Sequence, residues 1–193
     1  MGATMERVSV NGVELEFDSA GSGEAVVFIH GGGVADSYLP LAAEPAVRDH
    51  YRVIRYRRRG HAGSTPVEGM VSVAEHAHDC RALLGALDVP QAHVVGPEQA
   101  DNDGATLFES DLASIPEWRF GAEEAVEITQ PVLFLSGAES LPAFIESRDL
   151  FHSWCPRTED DVMPGANHLL HMRHPADAAA RLTGFLKRHA VTA

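Results

Sequence analysis

The chain has 193 residues, 45% of them hydrophobic, enough for a single domain with a sizeable core over residues 1–193. Its 28 acidic residues against 15 basic ones give a net charge of −13, a surface that disfavours nucleic acid phosphates and anionic membranes as partners. No apolar run approaches the roughly 20 residues of a bilayer span, and the opening MGATMERVSV lacks the apolar segment of a secretory leader, so a cytoplasmic protein is expected.

In chain order, residues 5–10 and 13–19 alternate apolar and polar around Asn11-Gly12, the pattern of a β-hairpin. Residues 25–30, AVVFIH, are an unbroken apolar run, as in a strand covered on both faces. YRVIRY (51–56) predicts a further strand. The cluster Arg55-Tyr56-Arg57-Arg58-Arg59 at its end could hold a small anion, but reads first as a solvated strand end. Ser72-Val73-Ala74-Glu75 is a capping box. The helix it starts puts Val73, Ala77, Cys80, Leu84 and Leu87 on one stripe and Glu75, His78, Asp79 and Arg81 on the exposed face. AHVVG (92–96) predicts a buried strand.

Beyond Gly96, a helix is readable in Phe108–Ile115 or Ala122–Ile128, with Trp118 and Phe120 as apolar anchors. PVLFLSG (131–137) predicts a buried strand, residues 143–153 a helix and residues 160–163 a short strand. A last helix begins near Pro175 and buries Ala178, Leu182 and Phe185. The two cysteines, Cys80 and Cys155, sit in no zinc or redox spacing, and Cys80 is expected to be buried.

Strands alternating with helices predict an α/β fold: a mostly parallel sheet with helices on both faces and an antiparallel N-terminal hairpin. Ligands in such folds bind beyond the carboxyl ends of the strands. Those ends carry His30-Gly31-Gly32-Gly33, Arg58-Arg59-Gly60-His61, Gly137-Ala138-Glu139-Ser140 and Gly165-Ala166-Asn167-His168. A glycine-rich turn leaves backbone N–H groups open to a ligand oxygen, or is merely a flexible turn. His168 is a candidate general base, or a surface histidine, one of eleven. His168, His171 and His174 recur every three residues, but no carboxylate completes a metal spacing, so neither metal nor cofactor is expected.

FIHGGG, YRVIRYRRRGHAGS, SVAEHAHDCRALLGALDVPQAHVVG, PVLFLSGAES and PGANHLLHMRHP, in this order, resemble the α/β-hydrolase superfamily over nearly the whole chain. The resemblance implies His168 as general base and the N–H groups near Gly32 and Gly33 as half of an oxyanion hole. It puts Ser140 where the family carries its acid, with Glu139 one residue away. It puts Glu98 of Gly96-Pro97-Glu98-Gln99-Ala100 where the family's Gly-x-Ser-x-Gly elbow carries its nucleophile. Ser64 reads as a turn residue, as its family counterpart is.

Residues 97–130 leave room for one helical connection, not for the helix, strand and cap that the family places there. One internal strand and most of the cap are therefore expected to be missing. The AHVVG strand would then pair directly with PVLFLSG, or a second copy of the chain would fill the gap as a homodimer. Three readings follow: a hydrolase-lineage protein with ester hydrolysis lost or weakened that still binds a small-molecule ligand, an active enzyme using His168 with Glu98 or Glu139, and a non-enzymatic dimerising module.

Overall fold

The computed structural model describes residues 5–32, 34–96 and 120–191. They fall into two compact units. The first is built on the chain up to Tyr38, the stretch from Arg48 to Gly96, and Val191. Strands β1 (Glu6–Val10) and β2 (Val13–Ala20) form the predicted hairpin, in register Val10↔Val13. Both turn residues, Asn11 (φ 48°) and Gly12 (φ 77°), adopt the left-handed conformation that an Asn-Gly pair tolerates and that matches the strand twist. With β3 (Ala25–Ile29), β4 (Arg52–Tyr56) and β5 (His93–Val95) they make a sheet of order β1-β2-β4-β3-β5. The β2–β4 pair is antiparallel; β3 runs parallel to both β4 and β5.

One face of this sheet presents Leu15, Phe17, Val27, Ile54 and Tyr56 to Cys80 and Leu83 of a helix, a continuous apolar core. On the other face Phe28 meets Tyr38, ring centroids 5.4 Å apart. The helix is numbered α3 (Val73–Ala86), after the short α1 (Leu39–Ala43) and α2 (Pro45–Arg48). Its predicted capping box forms: Ser72 Oγ accepts the Glu75 N–H at 3.2 Å, and the Glu75 carboxylate accepts the Ser72 N–H at 2.9 Å.

The second unit contains 39–47 and the chain from Phe120 to Ala190. A single turn, α4 (Ala122–Ala125), leads to β6 (Leu133–Gly137), α5 (Pro142–Trp154), β7 (Glu159–Met163), α6 (Leu170–Arg173) and α7 (Pro175–Arg188). β6 and β7 are parallel, Leu133↔Glu159 through Gly137↔Met163. α7 starts at Pro175 and buries Ala178, Leu182 and Phe185, as its periodicity requires. Arg181 ties it to Asp161 of β7, and Arg188 to Glu159 at 2.5 Å. Phe120 stacks on Phe151, which also meets Phe134 of β6.

Several expectations are corrected. Asp79 is not on an exposed face; it is 1% exposed, and α3 is rotated so that His76, Asp79, Cys80 and Leu83 face inward while Val73 and Ala77 do not. The rotation is permitted because Arg59 neutralises the buried carboxylate through two hydrogen bonds of 2.6 and 2.7 Å, and Asn11 adds a third. The arginine run is likewise not a solvated strand end: Arg57 and Arg58 are each 8% exposed. Acids distant in sequence compensate it, Asp18 pairing with Arg55 and Asp36 with Arg57.

β5 and β6 are also less enclosed than their apolar sequences suggest. Val94 is 63% exposed, and β6 is half-buried except for Gly137. The expected pairing of AHVVG with PVLFLSG is not among the strand ladders of the described residues: β5 is in the sheet of the first unit and β6 in that of the second. Ala122–Ile128 yields one helical turn, while Phe108–Ile115 and Trp118 lie outside the described residues. Cys80 and Cys155 are free thiols, the first buried as expected. Among the described residues no helix is long and apolar enough to cross a membrane.

Candidate active site

The loop after β3 is built around His30. Its Nε2 accepts the Arg58 N–H at 2.9 Å, so that nitrogen carries no proton. Nδ1 therefore bears the ring's single proton and donates it to the Gly31 carbonyl at 2.6 Å. The ring meets His61 edge-on at 4.8 Å. Burial first, and then the positive charge of Arg58, push the His30 pKa down to about 3. Fixing the Gly31 carbonyl also fixes the next amide, because in a planar trans peptide the Gly32 N–H points opposite to the carbonyl that His30 holds. Gly32 is buried; Gly33 lies outside the described residues. Farther along, Arg57 donates to the Ala35 carbonyl at 2.9 Å and pairs with Asp36 at 2.5 Å. His30 and Arg57 thus hold the described residues on either side of Gly33 by hydrogen bonds.

The sequence reading named His30 within the glycine-rich turn and Arg57 within the arginine cluster, but gave neither a part in holding this loop. The available signal was a histidine closing a buried strand and three consecutive arginines in a strongly acidic chain, which call for specific partners.

His168 follows β7 in the second unit, and the carboxyl end of β6 supports its loop. Ala138 N–H donates to Met163 O at 2.9 Å and Glu139 N–H to Ala166 O at 2.8 Å. Gly137 permits this approach: a Cβ there would overlap the Ala166 carbonyl and lie 2.6 Å from that of Asn167. Asn167 Oδ1 accepts the Leu169 N–H at 3.0 Å, closing a turn around His168. The imidazole then stacks on Phe144 of α5 at 4.2 Å and 15°. Behind it, His171 is held neutral, its pKa lowered to about 4 by burial and by the charge His168 would carry.

The Glu139 side chain is exposed, and it makes no hydrogen bond or ion pair among the described residues. Ser140 is half-buried, its N–H bonded to Gly137 O at 3.1 Å. Glu98 lies outside the described residues. Ser64 is 3% exposed; its hydroxyl donates to Arg57 O at 2.7 Å and accepts the Glu16 N–H at 2.9 Å. Both functions of the hydroxyl serve the turn, as the sequence suggests.

Buried His30 and half-buried His171 make stability pH-dependent. A histidine whose folded pKa is depressed binds its proton in the unfolded chain first. Its contribution is intact above pH 6.5 and is lost as pH falls from 6.5 toward about 3 for His30 and about 4 for His171. The slope is about 1.4 kcal/mol per pH unit for each group. The urea midpoint is expected to drop between pH 7 and pH 5, and His30→Gln should shrink that drop. An equal drop in both proteins would show that His30 protonates freely in the fold.

No protein-family model matches the chain. It is 37% identical over 89 residues to a 2-hydroxy-6-oxononadienedioate/2-hydroxy-6-oxononatrienedioate hydrolase of Paraburkholderia xenovorans, covering 44% of this chain and 31% of that one. It is 35% identical over 85 residues to a non-heme chloroperoxidase of Kitasatospora aureofaciens, again 44% and 31% of the two chains. The chain thus spans about a third of the length of the curated relatives it matches. Among solved structures, it superposes on the carboxylesterase CesB of Bacillus subtilis with a TM-score of 0.76 at 14% identity, covering 96% of this chain and 92% of that one. For an esterase of Thermogutta terrifontis the TM-score is 0.74 at 16% identity, covering 98% and 100%.

Proposed function

We propose, for a chain that belongs to the α/β-hydrolase superfamily, that ester hydrolysis is lost or severely weakened while a small-molecule ligand can still be bound. The observation that carries this reading is the sequence Gly96-Pro97-Glu98-Gln99-Ala100, which puts a carboxylate where a serine would attack. A carboxylate that adds to an ester must expel an alkoxide and leave an anhydride, a species more reactive than the ester consumed. A serine instead exchanges one ester for another. The position of the family acid is also filled by a neutral group, Ser140, so charge from that position does not orient the His168 imidazolium. Ser64 offers no replacement nucleophile, since its hydroxyl is engaged at both ends.

Each unit holds its own candidate loop in place. In the first, His30 holds the Gly31 carbonyl; in the second, Gly137, Asn167 and Phe144 seat the His168 ring. That seating favours a second reading, in which His168 acts as a general base on water or a carbon acid. The two readings separate by experiment. Hydrolysis of p-nitrophenyl acetate is expected to be equal, within about twofold, in the parent and in His168→Ala. A drop of about tenfold or more in His168→Ala, well beyond what fold loss by circular dichroism explains, would overturn the first reading. A pH-dependent turnover of any carbon acid or ester abolished by both His168→Ala and Glu98→Gln would establish the second.

A further inference from the structure

A cavity of about 430 Å³ opens at the end of the β6–β7 sheet opposite to His168. That volume falls within the range of small-molecule sites. The strands are parallel, so the segments entering them, 125–132 and 154–158, line their amino ends, and the His189 that follows α7 closes the wall. Five residues of strand, about 16 Å, separate this end from the His168 loop. Ligand sites in folds of this kind are expected at the carboxyl ends, so the cavity belongs to nothing described above.

Its lining has a definite chemistry. Trp154 and Val132 supply apolar wall, and Trp154 is braced edge-on by Phe120 at 6.0 Å. Among the described residues no acidic side chain lines the cavity. Arg157 lines it and forms no ion pair among the described residues. Nε2 of His189 is committed to Glu159 at 2.6 Å. Helices α5 and α7 both end here with their partial negative charge, but the Cys155 N–H donates to Phe151 O at 2.8 Å and the His189 N–H to Leu186 O at 3.1 Å. The full charge of Arg157 outweighs what remains.

We infer that this cavity binds a small aromatic carboxylate, its ring against Trp154 and its carboxylate on Arg157. Cys155, half-buried in the same wall, reports occupancy.

The test uses the full chain and 2-naphthoate as probe, with 2-naphthylmethanol as its uncharged counterpart. Calorimetry is expected to show 2-naphthoate binding, weakened about tenfold in Arg157→Gln, largely kept in Arg157→Lys and unchanged in His168→Ala. The neutral alcohol should bind the parent and Arg157→Gln alike. Bound 2-naphthoate should slow iodoacetamide alkylation of Cys155, while the buried Cys80 stays slow throughout. Arg157 is exposed, so its variants should fold. Failure of 2-naphthoate to bind, equal affinity in Arg157→Gln, loss of affinity in His168→Ala, or an unprotected Cys155 would each overturn the site.

Discussion

Asp79→Ala is expected to destabilise the protein by about 3–5 kcal/mol, the cost of breaking a buried ion pair from one side. The Asp79 side chain is 1% exposed and that of Arg59 14%. Their two hydrogen bonds, at 2.6 and 2.7 Å, join α3 to the turn after β4. Asn11 Nδ2 donates to the same carboxylate at 3.1 Å, so the hairpin turn is tied to it as well. Removing the carboxylate strands a guanidinium in a site water barely reaches. Among the described residues its other acid is Glu75, 3.9 Å away and half exposed.

The origin of the cost can be checked. In the double variant Asp79→Leu/Arg59→Leu no charge is left uncompensated, so the loss should be clearly smaller than that of Asp79→Ala alone. Urea unfolding at pH 7 reads both. A loss under about 1 kcal/mol in Asp79→Ala would mean that solvent or another acid reaches Arg59.

Gly137→Val should cost about 3 kcal/mol and unseat His168. The position has no left-handed backbone to protect; the conflict is one of space alone. The new Cβ would meet the backbone carbonyls of Ala166 and Asn167, and neither is the end of a flexible side chain. Relief requires the His168 loop to move off β6, which breaks the 2.8 Å bond from the Glu139 N–H to Ala166 O. The His168 ring then leaves its stack on Phe144, and its ring-current-shifted proton resonances should move toward ordinary values. Gly85→Ala provides the contrast. Gly85 lies in α3 with nothing near its Cβ position, so alanine there should stabilise by about 0.5–1 kcal/mol. An unchanged His168 spectrum in a folded Gly137→Val would show that the loop adapts without moving the imidazole.

Both predictions depend on contacts between segments far apart in the chain, and there the limits of sequence reading show. The Asn11-Gly12 turn, the capping box at Ser72 and the start of α7 at Pro175 were legible because each is decided within about four residues. The loops that carry His30, Gly32 and His168 were legible for the same reason: they are where strands stop. Asp79 was misplaced because helical periodicity counts charge as exposure. Its partner, Arg59, comes from a different element, and pairing across 20 residues leaves no periodic trace.

By itself, then, the sequence determined the succession of strands and helices, the family resemblance and the presence of Glu98 and Ser140 where a serine and an acid would be expected. Local propensity and motif order suffice for these. The tertiary structure alone decided that the arginine run is buried and paired, that His30 is neutral with its proton on Nδ1, that Gly137 is the contact point of the His168 loop, and that β5 and β6 join different sheets. Each of these outcomes is a balance between desolvation and a specific partner, or between two backbones competing for the same space. Such balances exist only once distant segments have been brought together.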